Sequence, residues 1–102
     1  MHLVQLLLPL MAPDGKPFPR AFYRQVREVL TERFGGLTAY TRAPAEGRWR
    51  AGGAGTTRDE IIVYEVMTYP LDPGWWRDYR TQLEQRFAQD RIAIRAQSVT
   101  ML

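Results

Sequence analysis

Two segments of this chain are apolar at nearly every position, and they constrain the fold more than any other feature. Residues 2–10 and 60–69 each have the length and composition of a β-strand, with apolar side chains on both faces. Gln5 interrupts the first segment and Glu65 the second. A strand that is apolar on both faces is typical of a strand covered from both sides. Both segments are therefore predicted to lie in the middle of a sheet.

Each of these segments is followed by the pattern of an amphipathic helix. The first helix is predicted over 19–34, and Gly35 and Gly36 favour a left-handed terminus after it. The second begins at Asp72-Pro73, because Asp is a preferred N-cap residue and Pro suits the first helical position. The apolar stripes consist of Phe22, Val26, Val29, Leu30 and Phe34 in the first helix and Trp76, Tyr79, Leu83 and Phe87 in the second.

Two further strands are predicted at 37–43 and 91–101, because both segments alternate between apolar and polar residues. The last strand changes its apolar face along its length. Ile94 belongs to one face and Val99 to the other. This change predicts either a bulge or a strand end that crosses to a neighbouring molecule.

The resulting order of elements is βαββαβ. Two βαβ units with right-handed crossovers form an α+β, ferredoxin-like domain, in which a four-stranded antiparallel sheet of order 4-1-3-2 carries both helices on one face. A chain of 102 residues is expected to form one such domain over 1–102. Residues 44–58 are rich in Gly and Ala, and they are predicted to form a long flexible loop or an extension of the hairpin.

Composition excludes several classes of function. The chain has no cysteine, which excludes disulfides, thiolate catalysis and Cys-ligated metals, and which favours a cytoplasmic location. His2 is the only histidine, so neither a His-based metal centre nor a Ser-His-Asp triad is expected. We therefore expect no metal and no cofactor.

Charge and hydropathy bear on the partners. The net charge is +3, but basic residues are interspersed with acidic ones, which disfavours nucleic-acid binding. No apolar stretch reaches the roughly 20 residues that span a bilayer, so no membrane association is expected. The apolar run at 3–11 lacks the basic residues that precede the apolar region of a signal peptide.

The predicted sheet has helices on one face only, which leaves a second apolar face open. Monomeric proteins seldom expose a large apolar patch. The simplest solution is a homodimer in which two sheets pack face to face. The alternative is a monomer in which the 44–58 segment covers the sheet.

Glu65 is the first candidate for chemistry, because a carboxylate within an apolar strand is costly unless it is paired. Its candidate partners are Arg42, Arg95, Gln5 and Gln97. In one interpretation Glu65 is an acid, a base or a ligand anchor on the sheet face. In the other it forms a structural ion pair or fixes the register of the dimer.

Trp49 is the second candidate, together with the arginines around it. The Gly-rich sequence that follows suggests a flap with Trp49 as its lid and Arg48, Arg50 and Arg58 as contacts for a carboxylate or phosphate. The alternative is a tryptophan that packs within a hairpin or at a dimer contact. Tyr40 is a further hydrogen-bonding candidate on the second strand.

Three short motifs carry a resemblance to a known group: Phe34-Gly35-Gly36-Leu37-Thr38, Gly47-Arg48-Trp49 and Glu65. The chain resembles the dimeric α+β-barrel group of ferredoxin-like proteins, and within that group a small bacterial family of unknown function. The group includes monooxygenases, isomerases and ligand-binding regulators, so the resemblance implies a fold and a dimer but no single activity.

The protein is predicted to be a homodimer that binds a small, partly apolar or anionic ligand on the sheet face. Such a protein could be a cofactor-independent enzyme of monooxygenase or isomerase type. The alternative is a non-enzymatic assembly module whose sheet face is a dimer interface. The candidate catalytic residue is Glu65, and the candidate ligand-binding residues are Gln5, Tyr40, Arg42, Trp49, Arg95 and Gln97.

Overall fold

The computed structural model of the chain describes residues 1–42, 46–48, 56–58 and 61–102. Its elements follow the predicted order, with a short pair of strands added in the middle. They are β1 (His2–Pro9), α1 (Arg20–Phe34), β2 (Thr38–Arg42), β3 (Glu46–Arg48), β4 (Thr56–Arg58), β5 (Ile61–Thr68), α2 (Pro73–Arg86) and β6 (Ala93–Ser98).

Four of these strands form one antiparallel sheet in the order β2-β5-β1-β6. Without the short pair, β5 is the third strand and β6 the fourth, so the predicted order and the α+β ferredoxin-like fold are confirmed. The two strands that are apolar on both faces, β1 and β5, occupy the centre. The short pair, β3 and β4, forms a separate two-stranded ladder that aligns Glu46 with Arg58.

The core lies between the helices and one face of the sheet. On that face, Leu6 of β1 is aligned with Tyr64 of β5, and both are fully buried. Val26 and Leu30 of α1 and Leu83 of α2 pack against this face. Residues of both helices belong to this one buried cluster, so both helices lie on the same face of the sheet.

The predicted end of α1 and the predicted start of α2 are confirmed, whereas α1 begins at Arg20, one residue after the predicted start at Pro19. Gly35 ends α1 with a φ of 82°, and its N–H donates to the carbonyl oxygen of Thr31 at 2.8 Å. A residue with a side chain is strained in this left-handed region, so glycine suits the position. At the start of α2, Asp72 Oδ1 accepts a hydrogen bond from the Trp75 N–H at 3.2 Å. The side chain of Asp72 thus satisfies one of the free donors of the first turn.

The bulge predicted in the last strand is not found. In this fully described part of the chain, the register between β1 and β6 runs without interruption from His2–Ser98 to Leu7–Ala93. The strand ends at Ser98, whereas the pattern had suggested a strand as far as Met101. Met101 is 66% exposed, so the apparent change of face belongs to a segment outside the sheet.

Within the described ranges, neither α1 nor α2 combines the length and the apolar character that a helix needs to cross a bilayer.

Two tyrosines next to the core have strongly shifted acidities. Burial raises the pKa of Tyr23 to about 12, and the neighbouring Tyr64 adds to the effect. Burial also raises the pKa of Tyr79 to about 12, against the opposing effect of Arg86. Tyr23 donates to the carbonyl oxygen of Pro9 at 2.6 Å. The Tyr79 hydroxyl has no hydrogen-bond partner among the described residues.

These shifts predict a loss of stability at alkaline pH. A tyrosine in the unfolded chain loses its proton at about pH 10, whereas Tyr79 in the folded chain keeps it up to about pH 12. The unfolded state is therefore favoured as the pH rises from 10 to 12, and the contribution is fully present below pH 10.

We expect Tyr79→Phe to raise the free energy of unfolding by about 1 kcal/mol at pH 7, because it removes a buried hydroxyl without a partner. The same substitution should also reduce the loss of stability between pH 10 and 12. The matched control is Tyr23→Phe, which loses the bond to Pro9 and should destabilise by about 1 kcal/mol. Urea unfolding at pH 7 and at alkaline pH measures the stability of both variants. If Tyr79→Phe instead lowers the free energy of unfolding at pH 7, the Tyr79 hydroxyl is not a costly buried group without a partner.

Candidate functional site

The sheet face opposite the helices carries a row of polar residues that crosses all four strands. The register aligns Thr38 with Glu65, Glu65 with Gln5, and Gln5 with Arg95. We call these four residues the polar row. Neighbouring strands lie about 4.8 Å apart, so the row spans about 14 Å.

Hydrogen bonds connect three members of the polar row. Gln5 Nε2 donates to Glu65 Oε2 at 2.8 Å, and Arg95 Nε donates to Gln5 Oε1 at 2.8 Å. The amide of Gln5 therefore joins the cation of Arg95 to the anion of Glu65. Each bond involves an ionised group at one end, which makes it stronger than a bond between neutral groups. Gln5 thus fixes the position of the Glu65 carboxylate.

Apolar side chains flank the polar row on both sides. Leu3 and Met67, which are aligned with one another, lie on one side of the row, and Leu7 and Val63 lie on the other. Val63 is buried, and the other three are half-buried. The open face is thus an apolar surface with a charged, hydrogen-bonded line across it.

Glu65 also lines an open cavity of about 280 Å³. The cavity lies where the end of α1 turns into β2, next to the middle of β5. It places a fixed carboxylate beside space for a small molecule. The other residues that line it are Phe34, Gly35, Gly36, Leu37, Thr38, Val66 and Met67.

A second open cavity, of about 420 Å³, shares Phe34 and Met67 with the first. Its wall includes Arg33, whose Cζ lies 4.3 Å above the ring of Trp75. Arg33 Nη2 also lies 3.9 Å from Asp72 Oδ2. The two cavities therefore form neighbouring spaces with a carboxylate, a guanidinium and aromatic rings in their walls.

Two predicted ligand-binding residues lie near the polar row but outside it. Gln97 is aligned with Leu3, two residues along β6 from Arg95. Tyr40 occupies the register position opposite Val63 on β2.

Of the other two predicted ligand-binding residues, one lies away from Glu65 along the sheet and one is outside the described residues. Arg42 is aligned with Ile61, four residues along β5 from Glu65, which corresponds to about 13 Å. Trp49 lies outside the described residues, so the predicted lid stays a prediction. Of the four candidate partners of Glu65, the structure brings Gln5 into direct contact and Arg95 into contact through Gln5.

Sequence reasoning missed the contribution of the first resemblance motif to the site. The pattern explained Gly35 and Gly36 only as a helix terminus, whereas the whole segment from Phe34 to Thr38 borders the cavity at Glu65. A signal was present, because this segment leads directly into the strand that pairs with the Glu65 strand.

The arrangement has two chemical capacities. A carboxylate held beside an open space can accept and return a proton. A guanidinium can bind a carboxylate or phosphate with several N–H groups. Among the described residues, no three His, Asp or Glu side chains group as metal ligands would.

No protein-family model matches the chain, and no curated protein matches its sequence significantly. Solved structures match its fold. A phage SAM lyase in complex with S-methyl-5'-thioadenosine superposes with a TM-score of 0.66 and 10% identity, over 95% of this chain and 80% of that chain. CutA1 from Pyrococcus horikoshii superposes with a TM-score of 0.59 and 13% identity, over 100% and 86%. At such identities the likeness concerns the fold alone, and it supports the small ferredoxin-like α+β fold.

Proposed function

We propose that the protein is a homodimer that binds a small, partly apolar or anionic ligand beside the polar row, and that Glu65 transfers a proton to and from that ligand. The activity would be cofactor-independent and of isomerase or monooxygenase type. One observation carries the proposal. The Glu65 carboxylate, fixed by Gln5 at 2.8 Å, lines an open cavity of about 280 Å³.

The cavity walls suit such a ligand. Phe34, Leu37 and Met67 offer apolar contacts, and the cavity volume approaches the lower limit of typical small-molecule sites. Arg33 borders the neighbouring cavity and supplies a cation for an anionic group. Gln5 acts as a positioning residue, since it holds the carboxylate without lining the cavity itself.

The open face supports the homodimer. Leu3, Leu7 and Met67 are half-buried there and form an apolar surface that neither α1 nor α2 covers. Two copies that pack these faces together would remove the apolar surface from water. Because the polar row crosses the same surface, the ligand site would border the dimer interface.

The test uses phenylpyruvate, which combines an aromatic ring, a carboxylate and an acidic CH₂ group. In D₂O, Glu65 would take a proton from this CH₂ to give the enolate, and the carboxyl would exchange with solvent and return a deuteron. We expect the protein to accelerate this exchange about 10²-fold over buffer, at the lower end of general base catalysis. Proton NMR measures the exchange. Amide shifts at Leu37, Thr38 and Met67 report binding.

The control variant is Glu65→Gln, which should still bind phenylpyruvate but return the exchange rate to that of buffer. Phenylacetone, a neutral ketone with the same acidic CH₂, is the control ligand and should bind more weakly. Unperturbed amides around the cavity with both probes, together with the buffer exchange rate, would exclude proton transfer to ligands of this class.

A second candidate function is a non-enzymatic assembly module. It is favoured by the amide of Gln5, which uses both its donor and its acceptor within the polar row. A surface whose polar groups are already hydrogen-bonded can enter a dry interface at little cost. A stable dimer that neither binds the probes nor accelerates exchange would support this candidate.

A further inference from the structure

We infer that Arg95 of the partner subunit completes the site at Glu65, because the two sheets pack about a two-fold axis that runs along β1. The inference rests on the proposed homodimer and adds to it a register and an inter-subunit ion pair. Each dimer would then contain two composite sites, with Gln5 and Glu65 from one subunit and the guanidinium of Arg95 from the other.

The order of charges across the sheet selects this axis. Glu65, Gln5 and Arg95 lie on β5, β1 and β6 at successive spacings of about 4.8 Å, with β1 in the middle. A two-fold axis parallel to β1 and directly above it leaves Gln5 facing its own copy. The same rotation exchanges the two flanking positions, so each Glu65 faces an Arg95.

Other axes give poorer pairings. An axis along β5, or one parallel to the polar row, places Glu65 opposite its own copy. An axis between β1 and β5 places Glu65 opposite Gln5 and Arg95 opposite Thr38. Juxtaposed like charges cost several kcal/mol in an interface, and unmatched charges lose their solvation without a partner. Among these axes, only the axis along β1 pairs both charges.

The apolar flanks agree with the same axis. Rotation about an axis along β1 does not change how far along the strand direction a residue lies. The apolar residues on each side of the polar row therefore face the same side of the polar row in the other copy. Leu3 and Leu7 each face their own counterparts. Val63 faces Ala93, which is aligned with Leu7 on β6, and Met67 faces Gln97, which is aligned with Leu3. Apolar residues therefore meet apolar residues on the Leu7 side. On the Leu3 side the leucines meet, and Met67 meets the uncharged amide of Gln97.

The distances allow the ion pair. Aligned sheets pack about 10 Å apart, a gap that extended Glu and Arg side chains can bridge together. Their usual rotation of about 30° would displace a residue 4.8 Å from the axis by about 2.4 Å, which a long Arg side chain can absorb. In the monomer, Arg95 is exposed and uses Nε in its bond to Gln5. A guanidinium carries four more N–H groups, which are available for a carboxylate.

Charge reversal tests the pairing. Glu65→Arg places Arg against Arg95 in its own dimer, and Arg95→Glu places Glu against Glu65. We expect each variant alone to be monomeric at a concentration at which the wild type is dimeric, with the dissociation constant raised at least about 100-fold by like-charge contact. Mixed in equal amounts, the two variants should form a heterodimer, since both facing pairs then join an arginine of one chain to a glutamate of the other.

Sedimentation velocity with one variant carrying a fluorescent label measures the heterodimer. The double variant Glu65→Arg/Arg95→Glu serves as the second test, because it restores opposite charges within a homodimer and should dimerise again. Amide NMR spectra confirm that each variant is folded. Recovery of the dimer in the mixture or in the double variant supports the composite site.

Two failures are distinguishable. A wild type that sediments only as the 11.8 kDa monomer would overturn the homodimer itself. A dimeric wild type whose single variants still dimerise, or whose folded variants recover in neither test, would overturn the axis and the role of Arg95 while leaving the homodimer in place.

Discussion

Phe87→Ala should lower the free energy of unfolding by about 3–5 kcal/mol, a large part of the total stability of a small domain. Phe87 directly follows the last residue of α2, and its side chain is fully buried. Its ring centroid lies 5.0 Å from that of Phe18, 5.5 Å from that of Phe22 and 5.4 Å from that of Tyr23. Truncation would leave a cavity that these rigid rings cannot fill.

The matched control is Tyr69→Ala, because Tyr69 is also aromatic but is 79% exposed. Its truncation should change the stability by no more than about 0.5 kcal/mol. Urea denaturation followed by circular dichroism measures both variants. A loss below about 1.5 kcal/mol in Phe87→Ala would mean that the aromatic cluster contributes little to the core.

Leu7→Asp should abolish the proposed dimer and leave the monomer folded. The substitution places two unpaired carboxylates in each symmetric interface, each at a cost of about 3–5 kcal/mol. At 1.4 kcal/mol per factor of ten, the dissociation constant should rise by at least about 10⁴-fold. Leu7 is half-buried and lies outside the main core, so the stability of the monomer should fall by only about 1 kcal/mol.

Thr81→Asp is the control, since Thr81 is exposed on α2, away from the open face. It should leave both the association and the unfolding free energy within about 0.5 kcal/mol of the wild type. Analytical ultracentrifugation over a range of concentrations measures the association. If Leu7→Asp dimerises as tightly as Thr81→Asp, the open face is not the interface.

The fold could be predicted because several local signals agreed. The two strands with apolar residues on both faces required a central position, and Asp72-Pro73 and Gly35 marked helix ends that the structure confirms. The bulge, one of two interpretations of the last strand, is not found. It came from extending strand parity beyond Ser98, where the chain no longer belongs to the sheet.

The site could be predicted only in part, because strand parity does not determine register. Alternation showed which face Glu65 occupies, but Gln5, Arg42, Arg95 and Gln97 all had a parity compatible with pairing. The pairing of Gln5 with Glu65 joins residues 60 positions apart. It depends on how whole strands align, and no local pattern encodes that alignment.

The central place of β1 has a consequence for synthesis of the chain. This strand emerges from the ribosome before both of its neighbours, since β5 begins at Ile61 and β6 at Ala93. At about 5–20 residues per second, the last neighbour follows only after about 5–20 s. Until β5 emerges the sequence LVQLLL is unpaired, and until β6 emerges one of its edges stays open. Uncharged apolar segments of this kind are prone to aggregate. The nascent chain should therefore depend on chaperones more than its small size suggests.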